Sequence, residues 1–372
     1  MNSFGRLFRL SLFGESHGEG VGVLLDGVPP GLPVSEKSLQ ADLDARRPGG
    51  PLVSQRCEPD VPRVLSGVLR GKATGAPMCV WIENQDVQSK PYADLARTPR
   101  PGHADWVNHV WSGGHADLRG GGHSSGRLTA GLVVAGTIAQ GILDPLGIRC
   151  AAHLHQVGPH RGPDNVVPLG RMAKAAAASP VKTAHTALEP VFRIEIEAAR
   201  RATDSVGGSV EFRAEGLPVG LGDPILNPLE STLAHLLFAV PAVKGVSFGA
   251  GQAAAAMRGS EHNDPFDVRK GKVVPRSNHA GGLLGGRTTG APIWGQVAVK
   301  PASSIALLQD TVDLTTGKAA TLEMTGRHDP CIAIRAVPVV RACLAIALAD
   351  AVLLGRANGL EGTSGRRKVK DR

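Results

Sequence analysis

The residues that could carry chemistry in this 372-residue chain are concentrated in short glycine-rich segments. The most informative segment runs from Gly326 to Ile332 and places a permanent cation, an imidazole and a carboxylate in succession at Arg327, His328 and Asp329. The glycine permits unusual backbone angles, and the proline after the carboxylate keeps the chain extended. Such a turn can present polar side chains to a ligand, although a salt-bridged surface turn would have the same sequence.

Two further histidines stand in glycine-containing turns. His17 lies in Gly-Glu-Ser-His-Gly, where a predicted strand ends, and His103 lies in Arg-Pro-Gly-His-Ala-Asp. An imidazole titrates near neutrality, so either residue could act as a general acid or base. Arg100 would favour the neutral form of His103, whereas Asp105 would favour its protonated form. A surface hairpin is the alternative for His17.

Three other segments have the composition of ligand-binding loops. Residues 120–127 combine three glycines, a histidine and two hydroxyls with the start of a predicted helix, and this combination can cradle an anion. The lysine of a P-loop is missing, and a flexible linker is the alternative. Two Gly-Gly pairs within 277–286 would let the backbone approach a flat ligand. Residues 300–304 offer a lysine and two hydroxyls that suit a phosphate or a flavin edge, or form a plain strand exit.

The composition limits the class of protein. Hydrophobic residues make up 42% of the chain and aromatic residues only 3%, which indicates a large aliphatic core. A net charge of +8 is compatible with nucleic acid or with a small anionic ligand. The arginines are scattered among glycine turns and are not clustered with aromatic residues. We therefore predict an anionic small-molecule partner and no nucleic acid.

Five cysteines occur at irregular spacing and form no CxxC pair. This pattern indicates neither a zinc site nor a disulfide framework, so no metal is predicted and free thiols are expected. The chain starts without a signal-peptide pattern, and no uninterrupted apolar run reaches membrane-spanning length. We predict a cytoplasmic protein with no membrane partner.

Helices and short strands alternate without a βαβ rhythm, and no GxGxxG opens a helix after a strand. These features argue against a dinucleotide-binding fold and favour an α+β layered sandwich with a mainly helical interior. Segment 97–126 is predicted to be a long functional loop. One domain is expected over 1–355, followed by a basic, disordered tail at 356–372. Strands are predicted at 5–13, 20–26, 61–84, 208–214, 243–256 and 291–300, and helices at 35–47, 127–143, 169–178, 189–204, 224–240 and 338–354.

Taken together, the segments closely resemble the chorismate synthase family over about residues 5–354. Five motifs follow the family's order, and two shorter segments agree as well. The resemblance implies a helical core between antiparallel β-sheets and a homotetramer. It also implies a lyase of aromatic amino-acid biosynthesis, which converts 5-enolpyruvylshikimate 3-phosphate to chorismate and phosphate by 1,4-anti elimination. Reduced FMN would be required without net redox change. The motifs and segments lie at 14–18, 100–105, 120–125, 277–282, 326–331, 241–246 and 258–261.

The resemblance also implies roles for individual residues. His17 would donate a proton to the departing phosphate, His103 would stabilise the anionic reduced flavin near N1, and Asp329 would help to move a proton through the flavin N5. Guanidinium groups bind oxyanions bidentately, which suits a substrate with several negative charges. The substrate-binding residues would be Arg46, Arg47, Arg100, Gly126, Arg127 and Arg327. The FMN-binding residues would be His123, Ser124, Ser125, Pro241, Ala242, Gly285, Lys300, Pro301, Ala302, Ser303, Ser304 and Arg327.

The chain departs from the family pattern at several positions. His123 stands where many members carry arginine, Gly126 where alanine is common, and Leu128 where glutamate is common. Leu52 lies in a segment where the family usually has a further arginine. The departures at His123 and Leu52 leave open a flavin-binding relative without lyase activity. A basic nucleic-acid-binding protein is a separate alternative, based on the net charge, and the small number of aromatic residues argues against it. The sequence also leaves open whether NADPH or an external reductase supplies the reduced flavin.

Overall fold

The protein is built around eight α-helices within the described residues, which are 2–47, 52–54, 58–86, 92, 94–324 and 328–363 of a computed structural model. Two of these helices, α3 and α8, are almost entirely buried. The helices are α1 (Glu36–Arg46), α2 (Asp105–Trp111), α3 (Thr129–Leu143), α4 (Leu169–Ala178), α5 (Glu189–Arg201), α6 (Leu229–Phe238), α7 (Gly259–His262) and α8 (Ala333–Ala357).

The described strands form two five-stranded antiparallel sheets and several two-stranded ribbons. The first sheet has the order β1-β2-β3-β7-β4 and the second β11-β16-β10-β8-β9. The strands are β1 (Ser3–Phe4), β2 (Arg9–Gly14), β3 (Gly20–Asp26), β4 (Pro62–Val64), β5 (Val68–Leu69), β6 (Lys72–Ala73), β7 (Met78–Glu83), β8 (Arg149–Val157), β9 (His160–Arg161), β10 (Gly208–Glu215), β11 (Val243–Phe248), β12 (Phe266–Arg269), β13 (Lys272–Pro275), β14 (Leu283–Leu284), β15 (Arg287–Thr288), β16 (Ile293–Val299), β17 (Gln309–Asp313) and β18 (Lys318–Leu322).

The two buried helices fill the space between the sheets. Helix α3 packs on β3 of the first sheet, and α8 packs on β8 and β10 of the second. The helices also pack on each other, and a Cβ added at Gly136 of α3 would lie 2.4 Å from the Cβ of Ala342 in α8. Small residues at such a crossing allow a short interhelical distance. The predicted helical core between antiparallel sheets is confirmed.

Residues 126–146 and helix α8 are long and apolar enough to cross a membrane, by length and composition only. Both are mostly buried inside the protein, where they form its core. Helix α8 also carries Arg341 and the buried Asp350. The Asp350 carboxylate accepts hydrogen bonds from the backbone N–H groups of residues 6–8 and thereby ties the N-terminal segment to the core.

Several predicted elements have different bounds in the structure. The segment 97–126 is not a plain loop, because it contains α2 and a kinked 3₁₀ segment at Arg119–Ser124. Helix α8 begins five residues before Pro338 and continues through it. Proline favours a first turn, but burial on all sides of this helix outweighs the lost backbone hydrogen bond. The strand predicted at 243–256 ends at Phe248. The basic tail is described only to residue 363, and residues 364–372 lie outside the described part.

Replacement of Gly136 by alanine tests the close crossing of α3 and α8. The added methyl group would overlap Ala342, so we expect Gly136→Ala to lower the free energy of unfolding by about 1–3 kcal/mol. Gly141→Ala in the same helix is the matched control, because its new Cβ would meet only Leu32, at 3.5 Å. That control should be neutral or stabilise by up to about 1 kcal/mol in urea unfolding. Equal stability of the two variants would contradict the proposed crossing.

Candidate active site

A cleft of about 850 Å³ lies at the end of the core where α3 and α8 begin. Its wall includes Leu128 and Thr129 at the start of α3, and Ile332 and Arg335 at the start of α8. The N-terminus of a helix carries unpaired N–H groups and the positive end of the helix dipole. Two such ends beside one cleft favour an anionic ligand.

Most of the predicted site residues lie together in this cleft. Arg47 does not, because it is exposed and pairs with Asp44. Gly285 lies elsewhere, in the tight turn between β14 and β15. Arg327 lies outside the described residues. The predicted residues that line the cleft are Arg46, Arg100, His103, His123, Ser124, Ser125, Gly126, Arg127, Pro241, Ala242, Lys300, Pro301, Ala302, Ser303, Ser304 and Asp329.

His17 is buried directly behind the cleft wall. Its ring meets the ring of Tyr92, which lines the cleft, edge-on at 5.1 Å between centroids. It also packs so closely on Gly120 that a Cβ there would lie 2.5 Å from the imidazole. Gly120 has a φ of +59°, so glycine is required both by the backbone and by the space that His17 occupies. His17 packs on Gly120, and His103 packs on the next residue, Gly121. The glycine segment therefore brings the two histidines close to each other.

His103 belongs to a buried network with Arg100 and Asp105. Asp105 Oδ1 lies 2.7 Å from His103 Nδ1 and 2.7 Å from Arg100 Nη2, and Asp105 Oδ2 accepts from Arg100 Nε at 2.7 Å. Burial opposes the charge on this carboxylate, but the hydrogen bonds from Arg100 and His103 outweigh burial and lower the pKa of Asp105. Arg100 Nη2 also lies 3.0 Å from His103 Nδ1, but Asp105 is nearer and can only accept, so we assign the proton of neutral His103 to Nδ1, which leaves Nε2 to exchange a proton.

Arg46 and Arg127 share one buried carboxylate. Asp60 accepts from Arg46 Nη2 at 2.7 Å and from Arg127 Nη1 through its other oxygen. Burial raises the pKa of Asp60, whereas the two arginines lower it. The effect of the arginines is larger, so the pKa of Asp60 lies below its usual value. Burial, together with the charges of Arg335 and Arg127, lowers the pKa of Arg46 to about 10, so Arg46 stays protonated at neutral pH. Arg46 Nε is buried without a hydrogen-bond partner within the described residues.

Asp329 stands at the other side of the cleft, just before α8. Its Oδ1 accepts from the backbone N–H of Ser54 at 2.7 Å, and its Oδ2 accepts from Arg335 Nη1 at 2.8 Å. Arg335 also donates to the carbonyl oxygen of Arg46 at 3.3 Å. The carboxylate is therefore held between a loop and a helix.

A lysine and two serines form the remaining polar corner. Lys300 Nζ donates to the carbonyl oxygen of Gly102 at 2.9 Å and lies against Ser303, while Ser304 accepts from Arg100 Nη1 at 2.9 Å. Burial, together with the charge of Lys244, lowers the pKa of Lys300. Ala242, whose carbonyl accepts from the Lys300 N–H, has a φ of +71°, which is unusual for a residue with a side chain. This corner connects the second sheet to the turn that carries His103.

The cleft holds more cationic than anionic side chains among the described residues. Six cations line it, at Arg46, Arg100, Arg127, Lys244, Lys300 and Arg335. Four carboxylates lie on or directly behind the same wall, at Glu58, Asp60, Asp105 and Asp329. Two positive charges are in excess, which favours a ligand with several negative charges.

Sequence reasoning missed several members of this site. Asp60, Arg335 and Tyr92 were not singled out, and Asp105 was noted only for its charge beside His103. Asp60 lies in a segment without glycine-rich context, and Arg335 lies inside an apolar helix, so neither had a local signal. The positive φ of Asp60, +50°, is visible only in the folded chain.

A second groove of about 1260 Å³ is larger but collects none of the predicted residues. It is lined by the N-terminal segment, α6 and the end of α8, including Arg6, Asp223 and Arg287. We assign the chemistry to the smaller cleft, because histidines, carboxylates and helix N-termini converge there.

The chain is similar to proteins of one family over nearly its whole length. The profile of the family described as chorismate synthase matches residues 8–353. The chain is 46% identical to the chorismate synthase of Korarchaeum cryptofilum over 94% of this chain and 97% of the relative. It is 47% identical to that of Pyrococcus abyssi over 95% and 98%. A crystal structure of chorismate synthase superposes with a TM-score of 0.73 at 27% identity, covering 94% of this chain and 92% of the other. The chain therefore belongs to the chorismate synthase family.

Proposed function

We propose that this protein converts 5-enolpyruvylshikimate 3-phosphate to chorismate and inorganic phosphate by a 1,4-anti elimination that depends on reduced FMN. The observation that carries the proposal is the convergence of His103, Asp329 and an excess of cations on one cleft, with His17 directly behind its wall. The family to which the chain belongs supports the same activity. Such an enzyme is a lyase of aromatic amino-acid biosynthesis, and we expect it to act in the cytoplasm.

The proposed substrate carries a phosphate and two carboxylates, and the cleft is prepared for such charges. Arg46 and Arg127 share the carboxylate of Asp60, and Glu58 lies 4.0 Å from Arg127, so these four charges balance and the excess of positive charge toward a ligand comes from the other cations of the cleft. Arg46 Nε still has a free donor in the buried wall. A guanidinium in this position can bind an oxyanion without reorganising first.

The residues of the cleft also fit FMN. Its volume lies within the range of about 300–1,000 Å³ that is usual for cofactor sites. Ser124 and Ser125 stand at the N-terminal end of α3, and Lys300 with Ser303 and Ser304 supplies further donors, a set that suits a phosphate and the polar edge of a flavin. When bound and reduced, the flavin supplies electron density that assists loss of the phosphate and is recovered as the C6 hydrogen leaves.

The chain's own residues would handle the protons. His103 Nδ1 donates its proton in a hydrogen bond to Asp105, so Nε2 can stabilise negative charge on a bound ring or exchange a proton with that ring. Asp329 is oriented through both oxygens and can accept a proton released on its side of the cleft. His17 would protonate the departing phosphate, for which its ring must reach the ligand past Tyr92 or Gly120.

We further propose a homotetramer, as the resemblance implies. Large apolar side chains are strongly exposed in the single chain, such as Leu226 at 95%, Trp111 at 89% and Ile225 at 87%. Clusters of this kind are typical of contact surfaces. Gly285 lies outside the cleft of its own chain, so a role in FMN binding would require a second copy.

Substitution of Asp329 tests the proton acceptor. Asp329→Asn keeps the shape of the side chain but removes its basicity, so we expect turnover to fall by about 10²–10⁴-fold. The assay follows phosphate release anaerobically with photoreduced FMN, with and without the flavin. Asp310→Asn, on the exposed strand β17, is the matched control and should retain full activity. Turnover of Asp329→Asn equal to that of the wild type would remove this residue from the mechanism.

Substitution of Asp105 tests the positioning network. Asp105→Asn leaves Arg100 buried beside a neutral group, and we expect a loss of about 3–5 kcal/mol of stability at pH 7. The folded pKa of Asp105 is depressed, so its contribution is complete above the unfolded pKa of about 3.9 and declines as the pH falls below it. The difference in thermal midpoint between wild type and variant should therefore be constant from pH 7 to 5 and shrink toward pH 3. A difference that does not vary with pH would contradict the depressed pKa.

Light scattering during gel filtration tests the assembly. A chain of 38.6 kDa should elute with a mass about four times that value if the exposed apolar side chains are contact surfaces. A monomer at micromolar concentration would rule out the proposed tetramer.

A further inference from the structure

A second polar cluster lies on the outer face of the second sheet. His153 and His155 are two residues apart on β8, so both point to the same side of the sheet. Glu211 lies directly opposite His153 on β10. The neighbouring residues Ala152 and Leu154 point to the other face, into the main core. The cluster is therefore separated from the cleft by the sheet.

A third histidine reaches the cluster from the connection between α4 and α5. His185 Nε2 lies 3.3 Å from His155 Nδ1, and its ring packs on Gly162, where a Cβ would lie 2.2 Å away. One nitrogen from each of the three histidines lies within 4.8 Å of the other two. Residues far apart in the chain thus bring three imidazoles to one point.

Glu211 lies beside two of these histidines through its two oxygens. Oε2 lies 3.7 Å from His155 Nδ1, and Oε1 lies 3.6 Å from His153 Nε2. His153, His155 and Glu211 are at most 1% exposed. The sheet therefore covers the donor atoms on one side, and an ion can approach them from the opposite side, where His185 lies.

The orientation of His155 is set from outside the cluster. Asp164 Oδ1 lies 2.9 Å from His155 Nε2, and Arg161 Nε donates to the same nitrogen at 3.3 Å. Metal binding through His155 Nδ1 requires the proton to reside on Nε2, where Asp164 can accept it once Arg161 turns aside. A carboxylate that orients a histidine in this way is typical of metal sites.

His153 Nε2 provides an independent indication of a missing ligand. This atom is fully buried and has no hydrogen-bond partner within the described part of the chain. His153 Nδ1 lies 3.0 Å from the carbonyl oxygen of Leu154 and 3.2 Å from the N–H of Ala184. The N–H of Ala184 can only donate and the carbonyl of Leu154 can only accept, so each contact fits a different tautomer, and metal binding through Nε2 uses the one in which Nδ1 donates to Leu154.

We propose that His153, His155 and His185 bind a divalent transition-metal ion, zinc in the first instance, with Glu211 beside them. Three imidazole nitrogens with a water molecule in the fourth position are a donor set that zinc accepts in tetrahedral geometry. Two nitrogens at about 2.0–2.1 Å from a tetrahedral ion stand roughly 3.3–3.4 Å apart, which is the spacing observed between His155 and His185. The ion would join β8 to the α4–α5 connection and would stabilise the fold without taking part in the elimination.

The sequence analysis predicted no metal because it examined cysteine spacing. The His-x-His pair on β8 is short, and His185 and Glu211 lie 30 and 56 residues beyond His155 in the sequence. Only the strand register and the packing of His185 on Gly162 bring them together.

Metal analysis of the untagged full chain tests the proposal. The protein is stripped with a chelator, incubated with zinc sulfate and passed through a desalting column. We expect about one zinc per chain, and a cobalt-loaded sample with the strong visible absorption of four-coordinate Co²⁺. Less than a tenth of an equivalent of zinc in the folded wild type, or only the weak absorption of six-coordinate cobalt, would overturn the proposal.

Three variants localise the site. His155→Gln and Glu211→Gln should each bind zinc at least about tenfold more weakly in a chelator competition titration. His160→Gln, which removes an exposed histidine paired with Glu195, is the control and should bind as the wild type does. Undiminished binding in the first two variants, or equal loss in the control, would place the zinc elsewhere and contradict the assignment. The wild-type measurement remains decisive if a variant fails to fold.

Discussion

The burial of cationic side chains beside carboxylates is the constraint on which the rest of this structure depends. Arg46 is 2% exposed and Asp60 is completely buried, and such charges are tolerated only when each has a partner. Some of these pairs are local, such as Arg100 with Asp105, but Asp60 also binds Arg127, which lies 67 residues further along the chain, so that contact forms only when the two segments meet in the folded protein. The same pairs fix the guanidinium groups at the wall of the cleft, which links the stability of the fold to the geometry of the site.

The helical core supplies the second condition for the site. Helices α3 and α8 cross closely at Gly136 and both begin at the cleft, so two helix N-termini face the same space. Their dipoles add to the excess of cationic side chains and favour a multiply charged anion. Glycines 120–122 complete the wall, because residues with a Cβ would collide with His17 and with the backbone of Asp117. Packing in the core and recognition in the cleft therefore have the same structural origin.

The sequence predicted the architecture and most of the cleft, but not the partners of its charges. The apolar run of α3, the glycine turns around His17 and His103, and the family motifs all have local signals. Asp60 and Arg335 have none, since the long-range contacts of Asp60 with Arg127 and of Arg335 with the carbonyl oxygen of Arg46 exist only in the folded chain. The start of α8 was predicted at Pro338, five residues after its actual start, because burial of this helix overrides the local preference of proline for a first turn. The His153 cluster was missed for the same reason as Asp60, as its members meet only through strand register.

The central claim is that the buried carboxylates prepare the arginines for the ligand and do not compete with it. Calorimetric titration of 5-enolpyruvylshikimate 3-phosphate into wild type and Asp60→Asn tests this claim directly. Removal of a negative charge beside an anionic ligand should strengthen binding if the carboxylate merely competes for Arg46 and Arg127. The account predicts the opposite, namely at least about tenfold weaker binding by the folded variant, because the two arginines lose their fixed orientation. Equal or tighter binding by Asp60→Asn would contradict it.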